Sequence, residues 1–480
     1  LKRDHVKSFL PWVIADSAIS LGSAILLALY VANMIGPVAF GVAGTAFLLG
    51  SFAETFVALP FSEALIQRRD LDERTTDAAF AGMLALGVLA FAGMAAIAWP
   101  LAHAFETPEL AALILVQGVT CLLLGLRGVP EALLSRELQF RALAIRNIVA
   151  KLTSAVVAVG LVAWGAGAWS IVLSNVAFGL ASTLMVLAVA ARLPRPRPDL
   201  AATKSLLRFG VFSLADGMLW TATPRLFAFL VGHYQGMRAL GLLSVGFRMN
   251  DAISALLAAV TARIALPIFA RTAEIPGRLD AAFQQGSKLT VMISTPIFVG
   301  LAFVSAEVVE LFLGADWTAA AATLVAVSLY SIANFARLLA PPAIKAVGKP
   351  HLLLWLNLIG LGYVGIGTVA AAPFGFEAQL AVWSSFGLVY FATSVILLRR
   401  ATGMGWRAQV APLLRPSAAA LGMAAALWAT SLQTAEAPAA LALATKVGVG
   451  ATSYALLLVL FERRFLASLV QLLTRRDTTA

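Results

Sequence analysis

The sequence predicts an all-α polytopic membrane protein of about fourteen transmembrane helices, built as two parallel six-helix bundles around a central cavity with two further helices after them. Three observations carry this expectation. The chain is 60% hydrophobic and only 12% charged, with a mean hydropathy of +0.89, whereas soluble domains carry about 25% charged residues. Its apolar stretches break into runs long enough to cross a bilayer. A stretch also recurs: aligned at an offset of 200, Phe9, Ala15, Asp16, Val31, Gly36, Gly41 and Phe47 fall on Phe209, Ala215, Asp216, Val231, Gly236, Gly241 and Phe247. Each copy reads as an apolar helix with an acid in its first half, a glycine-bearing turn, and the start of a second apolar helix.

A helix needs about 20 apolar residues to cross the hydrocarbon core. Cutting at charged or Gly/Pro-rich breaks gives spans at 10–34, 42–66, 77–102, 111–133, 147–164, 169–190, 209–231, 241–269, 289–313, 319–340, 352–372, 378–398, 417–432 and 440–461, of which the fifth and thirteenth are short. The charges test this division, because Lys and Arg are retained on the cytoplasmic side. They gather before the first span (Lys2, Arg3, Lys7) and after every even-numbered one, as with Arg68, Arg69 and Arg74, then Arg136, Arg141 and Arg146, and finally Arg463, Arg464, Arg475 and Arg476. Among the opposite loops, Arg238 is the basic Lys/Arg residue. Both termini are therefore expected in the cytoplasm.

The clearest internal boundary is the segment RLPRPRPD at 192–199, whose prolines cannot continue a helix. It separates six spans from eight, so the two copies of the repeat enter the membrane from the same side, as parallel repeats do. The division that follows is a six-helix lobe at 1–190, a basic Pro-rich linker at 191–208, a second lobe at 209–398, two additional spans at 399–461, and a cytoplasmic amphipathic tail at 462–480. In that tail Arg464, Ser468, Gln471 and Arg475 share a helical face with Phe465, Leu466, Leu469 and Leu473 largely opposite, the pattern of a helix lying on anionic lipid; a frayed tail is the alternative.

Several function classes are disfavoured. The net charge of +11 sits on one side of the membrane, which argues for topology and against nucleic acid. One cysteine, Cys121, and four widely separated histidines offer no metal-ligand cluster and no disulfide framework. Residues 1–8 read as a short basic leader with no cleavable signal. Gly360, Gly362 and Gly365 spell G-x-G-x-x-G, but inside an apolar span with no preceding strand, so close helix packing is the expectation and no cofactor is expected.

A charge at mid-bilayer costs roughly 2.5–3.5 kcal/mol on insertion scales and asks for a partner or a hydrated cavity. Asp16, Glu54, Asp216, Arg225, Arg248 and Asp251 all lie on the four spans of the repeat. Arg263 and Arg337 are further candidates, while Arg127 and Lys151 flank a cytoplasmic loop and are placed to snorkel. Two readings stand. In one, Arg248 and Asp251 pair at i, i+3 and the aspartates cap broken turns. In the other, the acids and arginines face a hydrated cavity, where guanidinium forks clamp phosphate oxygens and carboxylates bind H⁺ or Na⁺. Pro224 beside Arg225 is placed to kink its span.

At this point the residues resemble a known family. GPVAFG at 36–41, SEALIQRRDLDE at 62–73, RGVPEALLSRELQFR at 127–141, GAGAWSIV at 165–172 and LPIFAR at 266–271 look like signature stretches of the polysaccharide transporter family, the Wzx-like flippases of the multidrug/oligosaccharidyl-lipid/polysaccharide exporter superfamily. The resemblance implies two six-helix bundles arranged as a V, with spans one, two, seven and eight lining the cavity. It implies translocation of an undecaprenyl-diphosphate-linked oligosaccharide from the cytoplasmic to the outer leaflet of a bacterial inner membrane, for exopolysaccharide, capsule or O-antigen assembly. The partners it implies are that lipid-linked substrate, membrane lipids, H⁺ or Na⁺, and polysaccharide assembly proteins. By span position Arg225 and Arg248 match the family's basic cavity residues, and carrying at least as many acids as bases is a departure. Drug or metabolite export and flipping of a peptidoglycan precursor are rivals within the superfamily. A membrane polymerase or ligase is disfavoured, because every outer loop is too short to carry an active site.

Overall fold

The computed structural model describes the backbone of residues 3–68, 71–190, 192–272 and 278–474. Its side chains are described from 27 to 257, apart from positions 59, 63, 67, 69, 70, 191, 200, 205 and 207–216, and from 279 to 463 together with 465. The described residues form helices and no strand: α1 (Arg3–Gln67), α2 (Glu73–Ala104), α3 (Glu109–Arg136), α4 (Phe140–Ala163), α5 (Trp169–Val189), α6 (Leu200–Thr272), α7 (Arg278–Phe303), α8 (Ser305–Phe312), α9 (Ala320–Ala336), α10 (Ala340–Ala346), α11 (His351–Ala371), α12 (Phe376–Thr402), α13 (Trp406–Gln433) and α14 (Ala439–Thr474). Among the described residues, twelve stretches are long and apolar enough to cross a membrane. Packing divides the chain into two units, Leu1–Ala252 with Leu361–Gln379, and Ile253–Gly360 with Leu380–Ala480.

In the first unit the repeat is visible as geometry. Where the sequence predicts a loop at 35–41, α1 continues through a single non-helical residue, Gly36, at φ 76° and ψ 168°. Its counterpart Gly236 interrupts α6 at φ 82° and ψ 176°. A left-handed, extended residue of this kind redirects a helix without spending a loop, and only glycine adopts it freely. The two redirected segments then cross with their backbones in contact. A Cβ on Gly41 would stand 2.0 Å from the Met237 carbonyl oxygen, and one on Gly241 would stand 1.9 Å from that of Pro37.

The same economy joins α2 to α3. A Cβ on Gly87 would lie 2.8 Å from the Cys121 oxygen, and one on Gly125 would lie 3.1 Å from the Met83 oxygen. In lipid, helices gain little from apolar burial and associate through van der Waals contact, so small residues that admit the neighbouring backbone decide where they pack.

The Pro-rich segment 192–199 forms no helix and is strapped to the start of α2. Buried Asp77 accepts a hydrogen bond from the Arg195 backbone N–H at 2.9 Å, and Arg192 ion-pairs with Glu73 at 2.6 Å. Asp199 caps α6 by accepting from the Ala201 and Ala202 N–H groups, and it also pairs with Arg74. The Ala202 N–H, then Arg74, hold its carboxyl below the ordinary value of 3.8. Asp72 caps α2 by accepting from Thr75, which lowers its carboxyl likewise.

In the second unit Tyr330 of α9 stacks on Phe386 of α12 at 5.4 Å between ring centroids, and Gly360 of α11 admits Phe386 with 3.0 Å between a built Cβ and the ring. The G-x-G-x-x-G glycines thus divide: Gly360 serves close helix packing as expected, whereas nothing lies within 4 Å of a Cβ on Gly362. The expected short thirteenth span is the 28-residue α13, with Pro412 and Pro416 inside it. The last helix, α14, bends at Glu462, where φ is −125° and ψ 23°.

Candidate functional site

The break at Gly236 places Arg225 before it and Arg248 and Asp251 after it on α6, while the segment of α1 after Gly36 brings up Phe40, Phe47, Ser51 and Glu54. The Gly41–Gly241 crossing pins these two redirected segments side by side, which sets what the arginines can reach. Arg225 Nη2 donates to Ser51 Oγ at 3.1 Å, and Ser51 Oγ donates onward to the Leu48 carbonyl at 2.9 Å. Arg248 lies against two rings of α1, with its guanidinium carbon 5.2 Å from the Phe40 centroid and 4.8 Å from that of Phe47. The negative face of a ring attracts a cation, more so where water is excluded.

This arrangement leaves donors to spare. Among the described residues, Arg225 Nε and Arg248 Nη2 are buried without a hydrogen-bond acceptor. Asp251 is one helical turn beyond Arg248 and within electrostatic reach of both arginines. Two cations that retain unsatisfied N–H groups, with one carboxylate nearby, suit an oxygen-rich anion, since guanidinium groups match phosphate oxygens in pairs.

The structure brings the other predicted residues elsewhere. Glu54, one turn after Ser51, is within electrostatic reach of Arg127 on α3. Arg127 does not snorkel as expected: its side chain is 11% exposed, pairs with Glu131 at 3.5 Å, and donates to the Gly179 carbonyl at 3.4 Å. Glu131 in turn pairs with Arg146 at 2.7 Å. Arg337 belongs to the second unit, where it is 5% exposed, bonds Asn334 Oδ1 at 2.9 Å, and sits 3.8 Å from the centroid of Tyr390. Tyr390 also hydrogen-bonds Asn357. Asp16, Asp216 and Arg263 lie outside the residues whose side chains are described. No group of three metal-ligating side chains occurs among the described residues.

The functional neighbours that sequence reasoning missed are Ser51, Phe40 and Phe47. A serine and two phenylalanines in an apolar span send no signal of their own; the repeat register, which sets Phe47 opposite Phe247 in the alignment, was the available hint.

Comparison with known proteins adds to this geometry. A family model described as "Polysaccharide biosynthesis protein" matches residues 30–322. The chain is 24% identical over 417 residues to the teichuronic acid biosynthesis protein TuaB of Bacillus subtilis, covering 85% of this chain and 86% of that one. It is 23% identical over 486 residues to the succinoglycan biosynthesis transport protein ExoT of Rhizobium meliloti, covering 98% and 96%. Among solved structures, the lipid II flippase MurJ in an inward closed conformation superposes with a TM-score of 0.72 at 13% identity, covering 95% of this chain and 99% of that one. At that identity the likeness is one of fold.

Proposed function

Because the chain belongs to the polysaccharide biosynthesis protein family, a family of multi-pass membrane transporters, we propose that it is a flippase that carries undecaprenyl-diphosphate-linked oligosaccharide from the cytoplasmic to the periplasmic leaflet of a bacterial inner membrane. The observation that carries the reading is the pair Arg225 and Arg248, two cations within apolar spans whose buried Nε and Nη2 find no acceptor among the described residues. A diphosphate presents the anionic oxygens such donors lack, and translocation makes and breaks no covalent bond. The roles of TuaB and ExoT in teichuronic acid and succinoglycan biosynthesis support polysaccharide assembly, and the likeness to a lipid II flippase supports a lipid-linked cargo.

Fourteen crossings remain part of this proposal. The helices α1 and α6 are 65 and 73 residues long. At about 1.5 Å per residue each would extend about 100 Å, some three times the hydrocarbon thickness, so in this reading the breaks at Gly36 and Gly236 divide each into two crossings. An even number of crossings with cytoplasmic Lys and Arg puts both termini in the cytoplasm. Each repeat opens a six-span lobe, 1–190 and 209–398, followed by the spans of 399–461 and the tail from 462. Arg225 and Arg248 bind the diphosphate; Asp251, Asp16, Asp216 and Glu54 supply carboxylates for a coupling H⁺ or Na⁺; Arg337 is a further candidate for cargo contact.

The test is mass spectrometry of lipid-linked glycans in a strain lacking the gene, with a membrane-impermeant probe to assign the leaflet. One complete repeat unit accumulating toward the cytoplasm is the expected result. Unpolymerised units on the periplasmic side would indicate a polymerase or ligase, and an unchanged profile would return drug or metabolite export to the front.

A further inference from the structure

The sequence alone presents the last two spans as an appendage, yet they carry charges that an appendage facing lipid would not keep. Lys446 of α14 is 8% exposed and ion-pairs with Glu307 of α8, itself 13% exposed; its Nζ also donates to the Phe303 carbonyl at the end of α7, at 3.2 Å. Eight residues on, the Tyr454 hydroxyl donates to the Met292 carbonyl of α7 at 2.8 Å. Eight more residues on, at the bend of α14, the Glu462 carboxylate meets Lys288 Nζ at 2.5 Å, with only 2% of Glu462 exposed. Lys288 also sits 4.3 Å from the ring centroid of Phe465. Between these contacts, Ala419, Met423 and Leu427 of α13 and Tyr454 of α14 form an apolar cluster closed by Val299 and Phe303 of α7.

We infer that these contacts are a latch: α7, α8, α13 and α14 form one rigid body, so the last two spans travel with α7 and do not drift against it in the lipid. The contacts follow one another along α14 at intervals of about 12 Å. Sliding or tilting α14 away from α7 breaks at least one of them. Each break is unfavourable, because it takes its partner from a group buried in the protein: the Lys446–Glu307 or Lys288–Glu462 charges, or the Tyr454 hydroxyl. The latch itself is a statement about this unit; the claim that it moves as one during transport rests on the flippase reading.

Two measurements test it. Replacing Lys446 with Met leaves Glu307 buried and uncompensated, and should lower the melting midpoint of the detergent-purified full chain, whereas the double variant K446M/E307L should recover it. A single variant that melts with the parent would overturn the latch, as would a double variant no better than the single. For co-movement, cysteines introduced as G300C on α7 and M423C on α13 are bridged with a short bis-methanethiosulfonate reagent, with the native Cys121 replaced by Ser. A built Cβ on Gly300 lies 3.5 Å from the Met423 methyl carbon, so the bridge spans an existing contact. Equal bridging yield with and without an imposed proton gradient, and full flux of lipid-linked oligosaccharide in proteoliposomes after bridging, are expected. Flux that falls on bridging and returns on reduction would overturn co-movement. Melting and bridging yield are read without any cargo, so their failure is distinguishable from failure of the flippase reading.

Discussion

Gly41 and Gly241 occupy each other's side-chain space: the amide nitrogen of Gly241 lies 2.9 Å from where a Cβ on Gly41 would be, and that of Gly41 lies 3.1 Å from a Cβ on Gly241. The carbonyls that complete the contact belong to Pro37 and Met237, which are also equivalent at the offset of 200. A crossing between two copies of one sequence motif is therefore built on reciprocal contacts, as expected for repeats related by a twofold axis. Its position, five residues past each redirecting glycine, fixes where the two segments carrying Phe47 and Arg248 run.

Substitutions at the two kinds of glycine should fail for different reasons. Gly41→Ala drives a methyl into a backbone carbonyl, which no rotamer change relieves, so an overpacking loss of about 1–3 kcal/mol is expected, seen as a lower melting midpoint in purified protein. Gly36→Ala meets nothing within 4 Å but places a Cβ at φ 76°, a strain of about 1–3 kcal/mol. Combining Gly41→Ala with Gly241→Ala should cost less than the sum, because the first already separates the backbones that the second would. Strict additivity would show that the two sites do not share one contact.

The linker strap predicts a protease result. Trypsin does not cut efficiently before proline, which protects the bonds after Arg195 and Arg197 and leaves the Arg192–Leu193 bond as the susceptible one. Asp77→Ala removes the acceptor of the Arg195 N–H and should speed cleavage after Arg192 in detergent-purified protein, with stability loss of about 1–3 kcal/mol from the orphaned donor. An unchanged cleavage rate would show that Asp77 does not hold the strap.

The strap also has a pH window. The Asp199 carboxyl is held below its ordinary 3.8 in the folded chain, so its stabilisation is complete above that value and is lost as pH falls through the folded value. Hydrogen exchange at the start of α6 should therefore show the same protection at pH 8 and pH 5, and Asp199→Ala should accelerate it at both, the effect of a lost N-cap. Protection that declined between pH 8 and pH 5 would assign the cap to another group.

Much of this was legible in the sequence. Gly36 and Gly236 punctuate otherwise apolar runs at one register, and a shared need for positive φ is something a sequence can show. The arginines and acids of the site stand out because charges are rare in such spans. Their partners do not stand out: helical periodicity indicates a face but not which neighbour meets it, so Ser51 as acceptor for Arg225, 174 residues away, had no sequence signature. Arg127 looked like a snorkelling residue because proximity to a loop says nothing of Glu131 and Gly179 filling its reach. Lys446 and Glu307 carried the same signal as the site charges, a charge inside an apolar run, and lay outside the repeated spans on which that signal was weighed.

Arg248 owes its orientation to the Phe40 and Phe47 rings, and Phe47→Leu keeps apolar volume while removing a ring. A cation–π contact in a desolvated place is worth about 2 kcal/mol, so the guanidinium should lose its fixed position and transport should fall about tenfold or more, with little change in the amount of protein inserted. Phe47→Tyr keeps the ring and should retain most activity. If Leu and Tyr variants export polysaccharide equally, the ring is not what positions Arg248.

Arg225 provides the sharper test because its anchor and its free donor are separate. Ser51 Oγ takes one N–H, at Nη2, while Nε finds no acceptor among the described residues, so removing the anchor and removing the cation should have different consequences. If the proposed flippase function holds, Arg225→Ala deletes charge-assisted bonds worth about 1.5–3 kcal/mol each and should reduce flux of the lipid-linked oligosaccharide about 10- to 150-fold, with cytoplasm-facing intermediate accumulating. Arg225→Lys restores the charge but not the fork, and should recover flux only in part. Ser51→Ala leaves the guanidinium in place without its acceptor; a neutral bond of about 0.5–1.5 kcal/mol is lost, for a decrease of about 2- to 10-fold. In the Arg225→Ala background Ser51→Ala should have almost no further effect, since the hydroxyl acts through the arginine. An independent loss from Ser51→Ala in that background would place the hydroxyl in direct contact with the cargo instead.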